Sequence, residues 1–196
     1  MLDVLLMKKS IVYYNKKGSS NTEETLRLAY GRAKELGIAD IVVATTHGST
    51  GLKAAEVFKE QRFNLIAVSI CEGWKEEGWP MTSEEKNKLL AKGIKVHTGI
   101  HALGDDVSST FTGKCGGMSP SEVVRETLYR FCQGMKVCVE ITLMAADAGL
   151  IPVDKEVIAI AGTGEGADTA IVLNSACPRK FLDLKIKEII TKPREG

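Results

Sequence analysis

The chain has 196 residues, a formal net charge of +1, 44% apolar residues and 26% charged residues. The balance is that of an ordinary globular protein, and the length fits one domain, 1–196, that buries on the order of 70% of the surface its unfolded chain exposes. Acidic and basic residues are interspersed without a basic stripe, which argues against a nucleic-acid partner. The longest apolar candidate, Val137 to Leu150, is broken by Glu140 and Asp147, so no membrane span is expected.

Five cysteines (Cys71, Cys115, Cys132, Cys138 and Cys177) make an odd count without a C-x-x-C pair. Neither a disulfide framework nor a zinc knuckle follows, and a reducing cytoplasm is the expected compartment. The opening run Met1-Leu2-Asp3-Val4-Leu5-Leu6-Met7-Lys8-Lys9 lacks a charged leader and a small-residue cleavage site, so it reads as part of the fold and not as a signal peptide.

In chain order, Ile11–Tyr14 reads as a short strand. A loop rich in Lys, Gly and Ser follows, and Asn21-Thr22-Glu23-Glu24 opens a helix whose apolar stripe (Leu26, Leu28, Ala29, Ala33, Leu36) ends at Gly37. Strand 41–45, helix 50–60 and strand 64–70 come next; this β-α-β-α-β run predicts parallel strands with right-handed crossovers. A helix over 82–92 starts behind Thr82 or Ser83, and Ile94–His97 reads as a strand. The stretch 98–117, rich in Gly, Ser and Thr, reads as a long loop. Ser119-Pro120-Ser121-Glu122 opens the longest predicted helix, running to Ala148 before Gly149, with an apolar second half that should be buried. Strands over 157–161 and 169–173 and an edge strand over 184–191 complete the pattern. Together these predict a three-layer α/β/α fold with a mostly parallel sheet.

In such sheets ligands bind beyond the carboxyl ends of the strands. Three strand-to-loop transitions qualify: Asn15–Thr22, Thr45–Gly51 and Gly162–Asp168. The second is the most telling. After Ile41-Val42-Val43-Ala44 comes Thr45-Thr46-His47-Gly48-Ser49-Thr50-Gly51, and then a helical pattern. A turn of this composition at a helix start offers free N–H groups, hydroxyl donors and the positive end of the helix dipole, a recipe for holding phosphate. Gly162-x-Gly164-x-Gly166 differs from the dinucleotide fingerprint, and no P-loop is present, so neither NAD nor ATP is expected.

Other residues carry competing readings. His47 is a phosphate donor, an acid or base, or a plain surface histidine. His97 and His101 have the helical metal-ligand spacing, with Asp105 and Asp106 nearby, but Gly99 argues against a helix. No metal site is expected, and His101 is placed at the sheet edge as a ligand contact. Glu140 pairs with Lys136 one turn earlier, faces the surface, or hydrogen-bonds a ligand. Trp74 and Trp79 read as packing residues. Cys115 has no evident base and reads as a bystander.

The segments Val42–Thr50 and Val157–Gly164 resemble the effector-phosphate loop and the terminal Gly-Thr turn of the C-terminal α/β domain of pyruvate kinase, and the chain as a whole resembles stand-alone archaeal members of that family. The matching stretches are 18–25, 41–51, 134–153 and 158–170. The resemblance implies an α/β/α sheet with at least one antiparallel strand, no pyruvate kinase chemistry, and a small phosphorylated ligand. In pyruvate kinase the loop binds a regulatory sugar phosphate; the stand-alone relatives imply flavin mononucleotide (FMN). By position, Thr45, Thr46, Gly48, Ser49, Thr50 and Gly51 would hold the phosphate. Asn21, Thr22, Gly162, Thr163, Gly164, Gly166 and Asp168 would complete the pocket, together with His47 and His101. A phosphatase or isomerase using His47 or His101 is a further reading, and nothing in the sequence excludes a homo-oligomer.

Overall fold

The computed structural model describes residues 8–60 and 63–195. The apolar opening run up to Met7 lies outside the described residues. Seven strands form one sheet: β1 (Val12–Tyr14), β2 (Asp40–Ala44), β3 (Asn64–Ser69), β4 (Lys95–Thr98), β5 (Glu156–Ala161), β6 (Thr169–Asn174) and β7 (Lys185–Pro193), in the spatial order β1-β7-β6-β5-β2-β3-β4. β6 runs antiparallel to both neighbours, and every other pairing is parallel.

Alternation along the central strands assigns the two faces. Ile41 and Val43 of β2, Ile158 and Ile160 of β5, and Ala170 and Val172 of β6 pack against α1 (Thr22–Leu36) and α2 (Ser49–Val57) through Leu26, Ala29, Ala33, Ala54 and Phe58. Val42, Ala159, Ile171 and Leu173 point to the other face. There they meet α6 (Gln133–Asp147) through Met135, Val139, Leu143 and Met144. The fold is thus three-layered, as its periodicities predict. α3 (Ser83–Ala91) covers the β3–β4 edge through Leu89, and its N-terminus is a capping box between Thr82 and Glu85.

Three expectations are corrected. The helix predicted from Ser119 to Ala148 is two helices, α5 (Pro120–Tyr129) and α6. Cys132 is fully extended (φ 175°, ψ 169°), and its sulfur accepts from the Met135 N–H as the cap of α6. Cysteine is not a usual cap and no Gly or Pro falls between Tyr129 and Gln133, so composition hides the break. The supposed loop 98–117 contains α4 (Val107–Cys115), capped by Asp106, which accepts from the Ser109 N–H. α4 buries none of its residues, and Val107 and Phe111 are 73% and 61% exposed, so it lacks the stripe that betrays a helix. Finally, β7 is not an edge strand, because β1 pairs outside it. Among the described residues no helix is long and apolar enough to cross a membrane.

Two glycines separate packing from propensity. A Cβ on Gly134, in the first turn of α6, would lie 2.2 Å from Thr169 Oγ1 and 2.5 Å from its Cβ, whereas one on Gly31 in α1 would meet nothing within 4 Å. Gly134→Ala should destabilise the protein by roughly 1–3 kcal/mol through overpacking. Gly31→Ala should stabilise it by about 0.5–1 kcal/mol through helix propensity. Urea unfolding of both variants checks the pair, and equal effects would contradict the close approach of α6 to β6.

Candidate functional site

The carboxyl ends of β2, β3 and β5 lie side by side, and a cavity of about 520 Å³ opens above them. Its wall takes Ala44 and Thr45 from the end of β2, Val68, Ser69 and Ile70 from the end of β3, and Gly162 from just past β5. The first turns of three helices also reach it: Thr22 of α1, Ser49 and Thr50 of α2, and Gln133 and Lys136 of α6. Helix starts carry unpaired N–H groups and positive dipole ends. The N-cap residue of α2, Gly48, has no side chain to cap with and sits in a left-handed conformation (φ 87°), so the Ser49 and Thr50 N–H groups are not taken by it. The Gly51 N–H turns back to Thr45 Oγ1 at 3.4 Å. Lys53 adds a cation to the same wall. This end of the cavity has the donors an anion requires.

The opposite side differs. Val137, Ile141 and Met144 of α6 line it together with the buried pair Lys136–Glu140, whose Nζ and Oε2 are 2.5 Å apart. Glu140 Oε1 also accepts from the Leu103 N–H at 3.1 Å. Glu140 therefore has two protein partners and a place on the wall, which resolves the surface-facing alternative against it.

Of the residues singled out in the sequence, Thr22, Thr45, Thr46, His47, Ser49, Thr50, His101, Gly162, Gly164 and Gly166 lie on the wall. Asn21, Gly48, Gly51, Thr163 and Asp168 stand behind it. Their structural roles are readable. The Asn21 amide donates to the Lys16 and Gly18 carbonyls at 2.7 and 3.2 Å. A Cβ on Gly51 would come within 2.9 Å of Leu89. Asp168 is fully buried. Its Oδ2 accepts from the N–H of Gly18 (2.9 Å) and of Thr163 (3.2 Å), and its Oδ1 accepts from the Thr169 hydroxyl (2.8 Å). It clamps the first and third loops to each other, and all its contacts are internal. The Thr22 hydroxyl makes a parallel tie, donating to the Ser19 carbonyl and accepting from the Ala167 N–H. Gly166, at φ 72°, admits this approach, since a Cβ there would stand 2.4 Å from Thr22 Oγ1.

His47 lies 3.4 Å from Glu85. The Glu85 carboxyl is held below its ordinary value, first by the Thr82 N–H, then by the Thr82 hydroxyl, with a smaller contribution from His47. His97 lies in β4 and off the cavity; burial lowers its pKa against the opposing charge of Asp147. The helical spacing of His97 and His101 therefore has no helix beneath it. Trp74 and Trp79 stack on each other with ring centroids 4.9 Å apart, and Trp79 is 45% exposed, so the pair is not part of the core.

Sequence reasoning passed over Ser19, Lys53, Ser69, Gln133 and Glu165, all on the wall. Lys53 had a signal, one turn past Ser49-Thr50 on the same helix face. Gln133 and Lys136 had none while the break at Cys132 was hidden.

Fold and cavity together define an α/β/α domain with a pocket at the carboxyl edge of its sheet. The chain belongs to the pyruvate kinase alpha/beta domain family, whose model matches residues 23–173. Among solved structures, a pyruvate kinase from Cryptosporidium parvum is similar over 82% of this chain and 24% of its own length, at 13% identity and a TM-score of 0.41. Cryptosporidium parvum pyruvate kinase in complex with ADP is similar over 89% of this chain and 24% of its own, at 15% identity and a TM-score of 0.38. This chain thus spans 24% of the length of those pyruvate kinases.

Two predictions follow from the supports of the site. Asp168→Ala leaves the part-buried N–H groups of Gly18 and Thr163 and the buried Thr169 hydroxyl without their acceptor, a loss of about 1–3 kcal/mol for the buried group and less for the other two. Amide hydrogen exchange at Gly18 and Thr163 should accelerate together with that loss of stability; unchanged exchange at both would exclude the clamp. Because the Glu85 carboxyl is depressed in the fold, its contribution is full above the ordinary glutamate range and is lost as pH falls through the depressed value. Glu85→Gln should therefore remove part of the stability that wild-type protein loses as pH falls below the ordinary glutamate range. Stability curves of the two proteins that stay parallel as pH falls below that range would count against it.

Proposed function

We propose that the cavity binds a small phosphorylated molecule with a flat, partly apolar body, FMN being the first candidate. One observation carries the reading: the α2 side and the α6 side of one cavity differ in chemistry. The uncapped start of α2 with Ser49, Thr50 and Lys53 suits a phosphate, and Val137, Ile141 and Met144 suit an aromatic ring. The Lys136–Glu140 pair on the same wall supports the reading by adding polar groups beside the apolar ones. A sugar phosphate, hydroxylated along its whole length, would leave the apolar side poorly matched; it is the alternative that membership of the pyruvate kinase alpha/beta domain family keeps in view. The proposal is one of binding and assigns no residue a chemical step.

FMN fluorescence should be quenched on titration with the purified protein. Ser49→Glu places a carboxylate at a helix start, where the dipole favours it, so the fold survives while the anion site is filled from within. That variant and Lys53→Ala should each lose roughly 10- to 100-fold in affinity, the worth of a charge-assisted hydrogen bond. Absence of quenching with the wild type, combined with stabilisation by a sugar phosphate in a thermal-shift panel, would replace the flavin reading with the regulatory one. Undiminished binding by Ser49→Glu would show the turn to be only a turn.

A further inference from the structure

Beside the cavity, three side chains of different chemistry meet. Cys71 follows the end of β3, and His101 and Asp105 come from the segment between β4 and α4. A sulfur, a ring nitrogen and a carboxylate oxygen from the three lie within 4.8 Å of one another, the one such group of His, Cys, Asp or Glu among the described residues. The geometry points to a binding site for a divalent transition-metal ion of the zinc type, with Cys71 as thiolate, His101 as imidazole and Asp105 as carboxylate.

The donor set is the first argument. One thiolate, one imidazole and one carboxylate match the ligands zinc takes, and three protein ligands leave the fourth position of a tetrahedron open. The second argument is the support around the donors. The Trp74 indole N–H donates to Asp105 Oδ2 at 3.2 Å, the kind of outer hydrogen bond that orients a ligating carboxylate. Asp105 itself sits at φ 56°, a left-handed conformation that Asp and Asn adopt more readily than other side-chain-bearing residues.

His101 Nδ1 and Asp105 Oδ2 are 2.6 Å apart, joined by a hydrogen bond. An ion at about 2.0–2.2 Å from each would replace that proton and move the two atoms to about 3.3 Å apart. Asp105, 39% exposed and on a loop, can make that adjustment. The Cys71 proton leaves to solvent as the thiolate binds. The same three residue types could also serve as nucleophile, base and orienting acid. However, Cys71 is 8% exposed and off the cavity wall, so a substrate in the cavity would not meet its sulfur. His101 is on the wall, which puts the ion at the margin of the cavity. The inference does not depend on what the cavity binds.

The test uses the whole chain, stripped with a chelator and titrated with Co²⁺, then with Zn²⁺ in competition. One Co²⁺ per chain should bind with a thiolate-to-cobalt absorption band in the near ultraviolet, and Zn²⁺ should abolish the band. Cys71→Ser should eliminate it. Asp105→Asn keeps a residue that tolerates positive φ, so the backbone survives, and it should weaken the metal at least about 10-fold. Cys115→Ser, which alters an exposed thiol elsewhere, should change nothing. Absence of the band in the wild type, its persistence in a Cys71→Ser protein with unchanged circular dichroism, or undiminished affinity in Asp105→Asn would each overturn the site.

Discussion

The carboxylate of Asp168, fully buried at the start of the one antiparallel strand, gathers the chain around the pocket. Its two oxygens accept from Gly18, Thr163 and Thr169. Thr169 in turn lies 3.4 Å from Cys132 Sγ, which caps α6 through Met135. Three parts of the chain far apart in sequence, the loop before α1, the turn after β5 and the start of α6, are fixed by one connected set of polar contacts. A buried carboxylate without such partners would be strongly unfavourable, so the clamp and the burial require each other.

That constraint explains why glycine is needed where it is. Gly134 lets α6 press against Thr169, and Gly166 lets the start of α1 reach the turn beyond β5. Close approach brings the first turns of α1 and α6 to the same rim as α2. The rim then combines N–H groups and hydroxyls with the apolar flank of α6. The second clamp, from Thr22 to Ser19 and Ala167, repeats the arrangement one turn away. The cavity wall is therefore held in place partly by groups behind it, such as Asp168, and partly by wall residues such as Thr22 that are themselves tied to neighbouring loops.

Much of this was legible in the sequence. Strand and helix periods on β2, α2, β3, β5 and β6 are strong because those elements bury one stripe or both faces, and the turn Thr45–Gly51 announced itself by composition. The failures share a cause. α4 buries nothing, so its apolar residues carry no period that points to the core. The break between α5 and α6 rests on one extended cysteine whose sulfur takes the role of a hydroxyl. β7 looked like an edge because pairing partners 179 residues apart, such as Val12 and Thr191, leave no local mark. In the same way Asp168 reads from its loop as a ligand contact, and only the packing reveals it as a tie between loops.

We propose that the start of α2 holds a phosphate while α6 holds the body attached to it. Isothermal titration of FMN against riboflavin, which differs by the phosphate alone, tests this most directly. FMN should bind at least about 10-fold tighter, as one or more charge-assisted hydrogen bonds require. Equal affinities for the two flavins, or no heat from either, would contradict it.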